Sequence, residues 1–344
     1  MAPKVLFASG VGRNGEVAEG LQKAGCEVLM IPPGPQGQPH YPTDEEIEKY
    51  WRQADAFVMS GRDMVTREAL AASPTMRVGA STIIGTENID LKAASELGIV
   101  IGYGAVPENL LGVAEAVVML AAALVKHLPA KWTSVREGGW RVDSVGNMMR
   151  GRTIGLVGLG NIGRAVAARL QGWEVDLIAA DPYVDLAVAA ALNVRLVDLD
   201  ALMRESDVVS VMVTISDETR GLIGQRELDL MKPGAYFINT SRGAAVDEAA
   251  LIRALDSHLG GVAIDTWERE PSNLENPLRD HPKVIATGHN VGHSEEVYAA
   301  LGPAAIENIL CGLRGEPPPY LRNPEALPAW RERLQRLGIT PMGV

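Results

Sequence analysis

Short runs of Val, Ile, Leu and Ala recur along the chain, each followed by a stretch with helical spacing. Val5–Ala8, Val28–Ile31, Phe57–Met59, Val78–Ala80 and Ile99–Ile101 read as strands. Successive apolar positions, rather than strict alternation, mark strands buried on both faces, as in a parallel sheet. Between them Glu16–Ala24, Thr43–Gln53, Arg67–Ala72 and Leu91–Leu97 repeat apolar residues at helical intervals. Thr43 with Glu46 has the form of a capping box, and Gly25 and Gly98 stand where helix C-caps fall. The Pro- and Gly-rich stretch Ile31–Pro42 follows a strand, and is either a ligand loop or a plain surface connection.

A second alternating series begins at Thr153. Its strands are Thr153–Val157, Val175–Ala180, Val194–Leu196, Val208–Val213, Tyr236–Asn239, Gly261–Asp265 and Val284–Ala286. Two separate series predict two α/β lobes, each a parallel sheet covered by helices. A last helical pattern runs from Glu295 to Leu313, and Pro317–Pro319 is expected to end regular structure. The apolar run Leu110–Val125 carries Glu115 and many alanines, and reads as a buried helix rather than a membrane span.

Composition narrows the function classes. The 344 residues suit two domains, and 47% hydrophobic with only 5% aromatic content suits buried parallel strands. Net charge is −11 and no basic cluster follows a predicted helix, so nucleic acid is not an expected partner. Cys26 and Cys311 lie far apart and outside any zinc spacing, so neither a disulfide framework nor a metal site is expected. The opening residues start a strand rather than a signal peptide. A soluble cytoplasmic protein with no membrane partner is the expectation.

The most informative segment is the apolar run Ile154–Val157, then Gly158-Leu-Gly160-Asn-Ile-Gly163, then a helical pattern through Leu170. A dinucleotide-binding βαβ unit requires that order. Gly158 permits a tight turn, Gly160 lets the backbone approach a pyrophosphate, and Gly163 lets the helix pack closely on the strand. The phosphates then meet free N–H groups at a helix N-terminus. The next strand ends at Asp181, at about the ~20-residue spacing expected of a ribose-binding acid. An acid there hydrogen-bonds the ribose of NAD and repels the extra phosphate of NADP. No Arg follows in Asp181-Pro182-Tyr183, so NAD is the expected cofactor.

Three further motifs leave strand ends: Asn239-Thr240-Ser241-Arg242-Gly243, Asp265-Thr-Trp-Glu-Arg-Glu270-Pro271, and Thr287-Gly288-His289-Asn290-Val291-Gly292-His293. Reducing a 2-oxo acid needs a cation for the carboxylate and carbonyl, an acid for the developing alkoxide, and a group that tunes that acid. Arg242 offers a planar fork for a carboxylate. His289 offers an imidazole, which titrates near neutrality in its free form. Glu270 would hydrogen-bond that ring and stabilise its charged form. Taken singly, each is more often a structural hydrogen-bonding group. Asp265 either caps a turn or faces the nicotinamide. Their joint order after a dinucleotide loop is what points to hydride transfer.

These motifs resemble the D-isomer-specific 2-hydroxyacid dehydrogenases. Gly85-Thr-Glu-Asn88-Ile-Asp90, Val113-Ala-Glu115 and Glu218-Thr-Arg-Gly-Leu-Ile223 extend the resemblance over roughly residues 50 to 315. It implies two Rossmann-like or flavodoxin-like domains with the active site in the cleft between them. Residues 1–103 and 300–344 would form a discontinuous substrate domain, and 104–299 the NAD domain. It implies Arg242 as the substrate-binding cation, Glu270 as partner and His289 as acid/base. Gly158, Gly160, Asn161, Ile162, Gly163, Asp181, Thr214, Thr240 and Asp265 would contact NAD. Ser60, Gly61, Ile83, Ile84 and Gly85 would hold the substrate carboxylate. Residues 128–150, with Trp132 and Trp140, match the region through which members form homodimers, or else are an ordinary connector.

Several positions depart from the family pattern. Gly288 stands for the usual Pro, Asn290 for an apolar residue, Ile83 for a glycine, Ala116 for a frequent His and Thr214 for a frequent Pro. His293 is either a substrate contact or a solvated loop residue. Such departures put the substrate in question rather than the chemistry. The leading reading is NAD-dependent interconversion of a 2-oxo acid and a D-2-hydroxy acid. The alternatives are a formate- or phosphite-type dehydrogenase, and an NAD(H)-sensing corepressor-like interaction protein.

Overall fold

The computed structural model describes residues 2–8, 15–32, 39–59, 63–141, 143 and 145–340. The chain forms two compact units, Met1–Asn109 with Ser294–Val344, and Leu110–His293.

The first unit holds strands β1 Lys4–Phe7, β2 Glu27–Met30, β3 Ala56–Met59, β4 Val78–Ser81 and β5 Val100–Gly102. They pair in parallel in the order β2-β1-β3-β4-β5. Side chains alternate across the sheet, so Val5 and Phe7 enter one core while Leu6 and Ala8 enter the other. Helix Glu295–Arg314 returns to this sheet, close enough that a Cβ on Gly312 would lie 2.5 Å from Val78. Gly315, at φ +82, then ends it in the left-handed conformation that glycine adopts most readily.

Regular structure does not end at Pro319. A further helix, Leu327–Arg336, puts Trp330 and Leu334 into the same core as Val5 and Phe7. Leu327 packs beside them, and the other positions are mostly charged or polar, so the pattern is faint. The predicted helix Thr43–Gln53 is also shorter. Its capping box at Thr43 is present, but the α-helix covers Asp44–Lys49 and a 3₁₀ turn follows at Trp51–Gln53.

The second unit holds β6 Thr153–Val157, β7 Asp176–Ala180, β8 Val194–Leu196, β9 Val208–Val211, β10 Tyr236–Asn239, β11 Gly261–Ile264 and β12 Val284–Ala286. All seven are parallel, in the order β12-β11-β10-β9-β6-β7-β8. The order reverses between β6 and β9, and open α/β sheets place ligands beyond the strand ends at such a point. Val209 and Val211 enter one core, while Val208, Ile154 and Leu156 enter the other.

Among the described residues, helix Pro107–Val125 alone is long and apolar enough to cross a membrane. Ala114, Val117, Leu120, Ala121, Leu124 and Val125 are nevertheless buried in the second unit's core. One face of this helix thus belongs to that core, while Leu111 and Met119 are exposed.

Candidate active site

The glycine turn follows β6. Gly158 takes φ +98, and a Cβ there would come within 2.8 Å of Met212 O. A Cβ on Gly163 would come within 2.4 Å of Gly158 O, so helix Asn161–Arg169 lies directly on the turn. Gly160 differs, because a Cβ there would meet nothing within 4 Å. No protein contact requires glycine at that position. Gly160 is also the N-cap of the helix, with no side-chain cap. Open space over an uncapped helix N-terminus fits a pyrophosphate.

Asp181 stands just past β7. Its Oδ2 accepts from Leu159 N at 2.8 Å and its Oδ1 from Tyr183 N at 2.9 Å, so the carboxylate ties the glycine turn to the end of β7. Asn161 is exposed and Ile162 half-buried. Thr240 is 8% exposed, and its Oγ1 is buried with no hydrogen-bond partner, as a hydroxyl waiting for a polar ligand would be. Thr214 is exposed, and its carbonyl accepts from Thr219 Oγ1 at 2.6 Å.

The turn after β10 is built by Asn239. Its Oδ1 accepts from Ser241 N and Oγ at 3.1 and 2.9 Å, and its Nδ2 donates to Arg242 O at 3.1 Å. Arg242 is half-buried and donates through Nη1 to Ser241 O at 2.8 Å. A Cβ on Gly243 would fall 1.9 Å from Trp267 O, so the turns after β10 and β11 touch backbone to backbone.

Asp265 gathers the strand ends. Its N–H donates to Asn239 O at 3.0 Å, and its carbonyl accepts from His289 N at 2.8 Å. Its Oδ1 accepts from Thr287 Oγ1 at 2.6 Å, Asn290 N at 3.0 Å and Val291 N at 3.1 Å. This is a loop-holding role, invisible in the spacing of the motif. His289 itself sits at φ +56, a region that non-glycine residues rarely enter.

His289 Nδ1 lies 2.6 Å from Glu270 Oε2. Only a protonated nitrogen is stable against a carboxylate at that distance, so Nδ1–H donates. Glu270 Oε1 accepts from Trp267 N at 3.0 Å. Burial by itself would raise the Glu270 carboxyl. The hydrogen bond and charge of His289, the Trp267 amide and the Arg242 charge outweigh it and hold the group below the ordinary carboxylate range. Arg242, Glu270 and His289 therefore share one electrostatic neighbourhood. His293 is exposed, and its N–H donates to Asn290 O at 3.0 Å.

Residues 118–291 match the D-isomer-specific 2-hydroxyacid dehydrogenase NAD-binding domain. The chain belongs to that family. It is 33% identical to a D-3-phosphoglycerate dehydrogenase of Archaeoglobus fulgidus, over 95% of this chain and 60% of that one. It is 34% identical to a glyoxylate reductase of Korarchaeum cryptofilum, over 83% of this chain and 88% of that one. Among solved structures, a formate dehydrogenase from Granulicella superposes with a TM-score of 0.79 at 26% identity, covering 90% of this chain and 83% of that one. The chain spans only 60% and 52% of the length of the first two phosphoglycerate dehydrogenases that it matches. The seven-stranded unit is an NAD-binding domain, and NAD is its cofactor.

The other expected residues lie in the first unit. Ser60 and Gly61 are outside the described residues. Ile83, Ile84 and Gly85 form the loop after β4. Ser81 shapes it by donating from Oγ to Gly85 O at 2.8 Å and accepting from Ile83 N at 3.3 Å. Ile83 O accepts from Gly104 N at 2.9 Å, and its side chain is 37% exposed. Sequence reasoning missed Asn239, Trp267 and Thr287. The one available signal was their adjacency to the residues it named.

Proposed function

We propose that this protein is an NAD-dependent dehydrogenase that interconverts a 2-oxo acid and a D-2-hydroxy acid. The observation that carries this reading is the His289–Glu270 pair at 2.6 Å beside Arg242, on the strand ends of an NAD-binding domain. Bound NADH supplies the hydride. Arg242 holds the substrate carboxylate and polarises the carbonyl. His289 donates from Nε2 to the developing alkoxide while Glu270 keeps Nδ1–H oriented and stabilises the imidazolium. In oxidation neutral His289 takes the hydroxyl proton. Glu270 is ionised throughout the neutral range, so it serves either direction.

Asn161, Ile162, Asp181, Thr214, Thr240 and Asp265 are assigned to the cofactor side. The unpartnered Thr240 hydroxyl and the open space at Gly160 support that assignment. Ile83, Ile84 and Gly85, with Ser60 and Gly61, are assigned to the substrate carboxylate, and His293 to the substrate side chain. A formate-type reaction is disfavoured on chemical grounds. Hydride loss from formate gives carbon dioxide and puts no proton on oxygen, so a carboxylate-supported imidazole would be superfluous.

We further propose a homodimer. Helix Leu128–Arg136 has no buried residue, and Trp132 is 63% and Trp140 82% exposed. A second copy would cover them. Dependence on a dissociable dinucleotide suits the cytoplasm, where that pool is held.

The deciding experiment is NADH oxidation by the purified protein against pyruvate, glyoxylate, hydroxypyruvate, phenylpyruvate and 2-oxoisocaproate, with NADPH in parallel. Turnover of one or more with NADH is expected. Tight NADH binding with no turnover across the panel would move the reading to a substrate outside it or to a cofactor-sensing interaction protein.

A further inference from the structure

Trp267 joins two of the strand-end loops by donating to both. Its backbone N–H donates to Glu270 Oε1 at 3.0 Å, and its indole Nε1–H donates to Thr287 O at 2.9 Å. The first bond fixes the carboxylate whose other oxygen meets His289. The second grips the chain two residues before His289. A third contact lies on the Arg242 side, where only glycine fits between residue 243 and the Trp267 carbonyl. The ring is 6% exposed and packs within the second unit's core.

No other natural side chain reproduces this arrangement. Phe fills comparable space but has no donor, and Tyr carries its donor at the far end of a single ring. The tie also has a strained loop to hold, since His289 sits at φ +56. Asp265 holds the same loop through Oδ1 and its carbonyl. Loss of the indole bond should therefore loosen the His289–Glu270 geometry without abolishing it.

We propose that Trp267 is a positioning residue that locks Glu270 and His289 into proton-transfer register by bonding the two loops that carry them. This inference rests on the dehydrogenase reading above. It assigns no contact with substrate or cofactor to Trp267.

The test replaces Trp267 in the full chain in two ways, by Trp267→Phe and by benzothienylalanine, whose two-ring shape carries sulfur in place of N–H. The analogue decides the matter if the Phe variant does not fold. Two readouts are taken. The first is the low-field proton resonance of the His289–Glu270 hydrogen bond, identified by its absence in His289→Gln. The second is the steady-state split between kcat, KM and NADH affinity. The expected result is an upfield shift or broadening of that resonance, together with a kcat lowered roughly 10-fold or more. KM and NADH affinity should stay within about twofold. An unchanged resonance overturns the proposal, whatever happens to kcat. A shifted resonance with unchanged kcat overturns it as well. Should the wild-type protein reduce no 2-oxo acid, the dehydrogenase reading fails, while the resonance still reports whether Trp267 sets the pair.

Discussion

The two units share a plan, parallel strands with a core on each face, yet they use buried polar groups differently. In the five-stranded unit Ser81 shapes the loop after β4, and several other such groups secure the returning chain. Arg77 donates to Leu313 O at 3.3 Å and to Asp55 at 3.2 Å. Arg333 donates to Leu97 O at 3.1 Å and Ser73 O at 2.8 Å. Asn323 accepts from Ile101 N at 2.8 Å and donates to Ile99 O at 3.0 Å. In the seven-stranded unit Asn239, Thr240, Asp265 and Thr266 cluster instead just at or past strand ends, where they shape loops and leave the hydroxyls of Thr240 and Thr266 unpartnered. One layered architecture thus ties the returning chain in the first unit and collects polar groups at the strand ends in the second. Both units bury polar groups past strand ends, and what each group bonds, rather than the fold, tells its use.

The comparison breaks most severely if Arg242 proves structural. Arg242→Ala should lower turnover about 10³-fold with NADH affinity nearly unchanged. Steady-state kinetics and NADH titration check this, and parallel loss of both would move Arg242 into the first unit's style of polar use. Next comes Asn323→Ala, which strands the Ile101 N–H and the Ile99 carbonyl inside the first unit. It should cost about 2–5 kcal/mol of stability while leaving kcat intact at temperatures where the protein stays folded. Denaturant melts paired with assays read both, and a stability loss under about 0.5 kcal/mol would discount the bond.

A smaller effect is expected at Gly160. With nothing within 4 Å of an added Cβ, Gly160→Ala should fold normally and weaken NADH binding roughly 10-fold. A protein that melts early but binds NADH as before would show that the open space serves the fold. The smallest effect concerns acid. Glu270 has a folded pKa held below its ordinary 4.5, so its contribution to stability is present above that value and disappears as pH falls through the lower one. The melting-temperature gap between wild type and Glu270→Gln should be steady above pH 4.5 and close as pH falls below it. A gap that widens on acidification would reverse the sign.

Much of this was legible from residue order. Strands buried on both faces announced themselves as Val-, Ile- and Ala-rich runs, and every expected strand ends within a residue of its place except β9, which stops two residues early at Val211. The glycine turn named its own strand and helix. Arg242, Glu270 and His289 were recoverable because each follows a strand closely. What stayed hidden depended on distant partners. Helix Leu327–Arg336 shows its apolar face through Leu327, Trp330 and Leu334 alone, and their core partners include residues as distant as Val5 and Phe7. Asp265 read either as a turn cap or as a nicotinamide contact, and no local pattern reveals that its Oδ1 would collect Thr287, Asn290 and Val291. The indole bond of Trp267 was equally silent, because an aromatic beside a strand end reads as packing.

The first unit's core also dictates an order of assembly. Val5 and Phe7 share that core with Trp330 and Leu334, whereas the second unit is one continuous stretch from Leu110 to His293. On a ribosome adding about 5–20 residues per second, β1 would wait roughly 15 to 65 s for its covering helices. Of the two units, the one whose strands emerge first is completed last, and during that interval its sheet stays half covered.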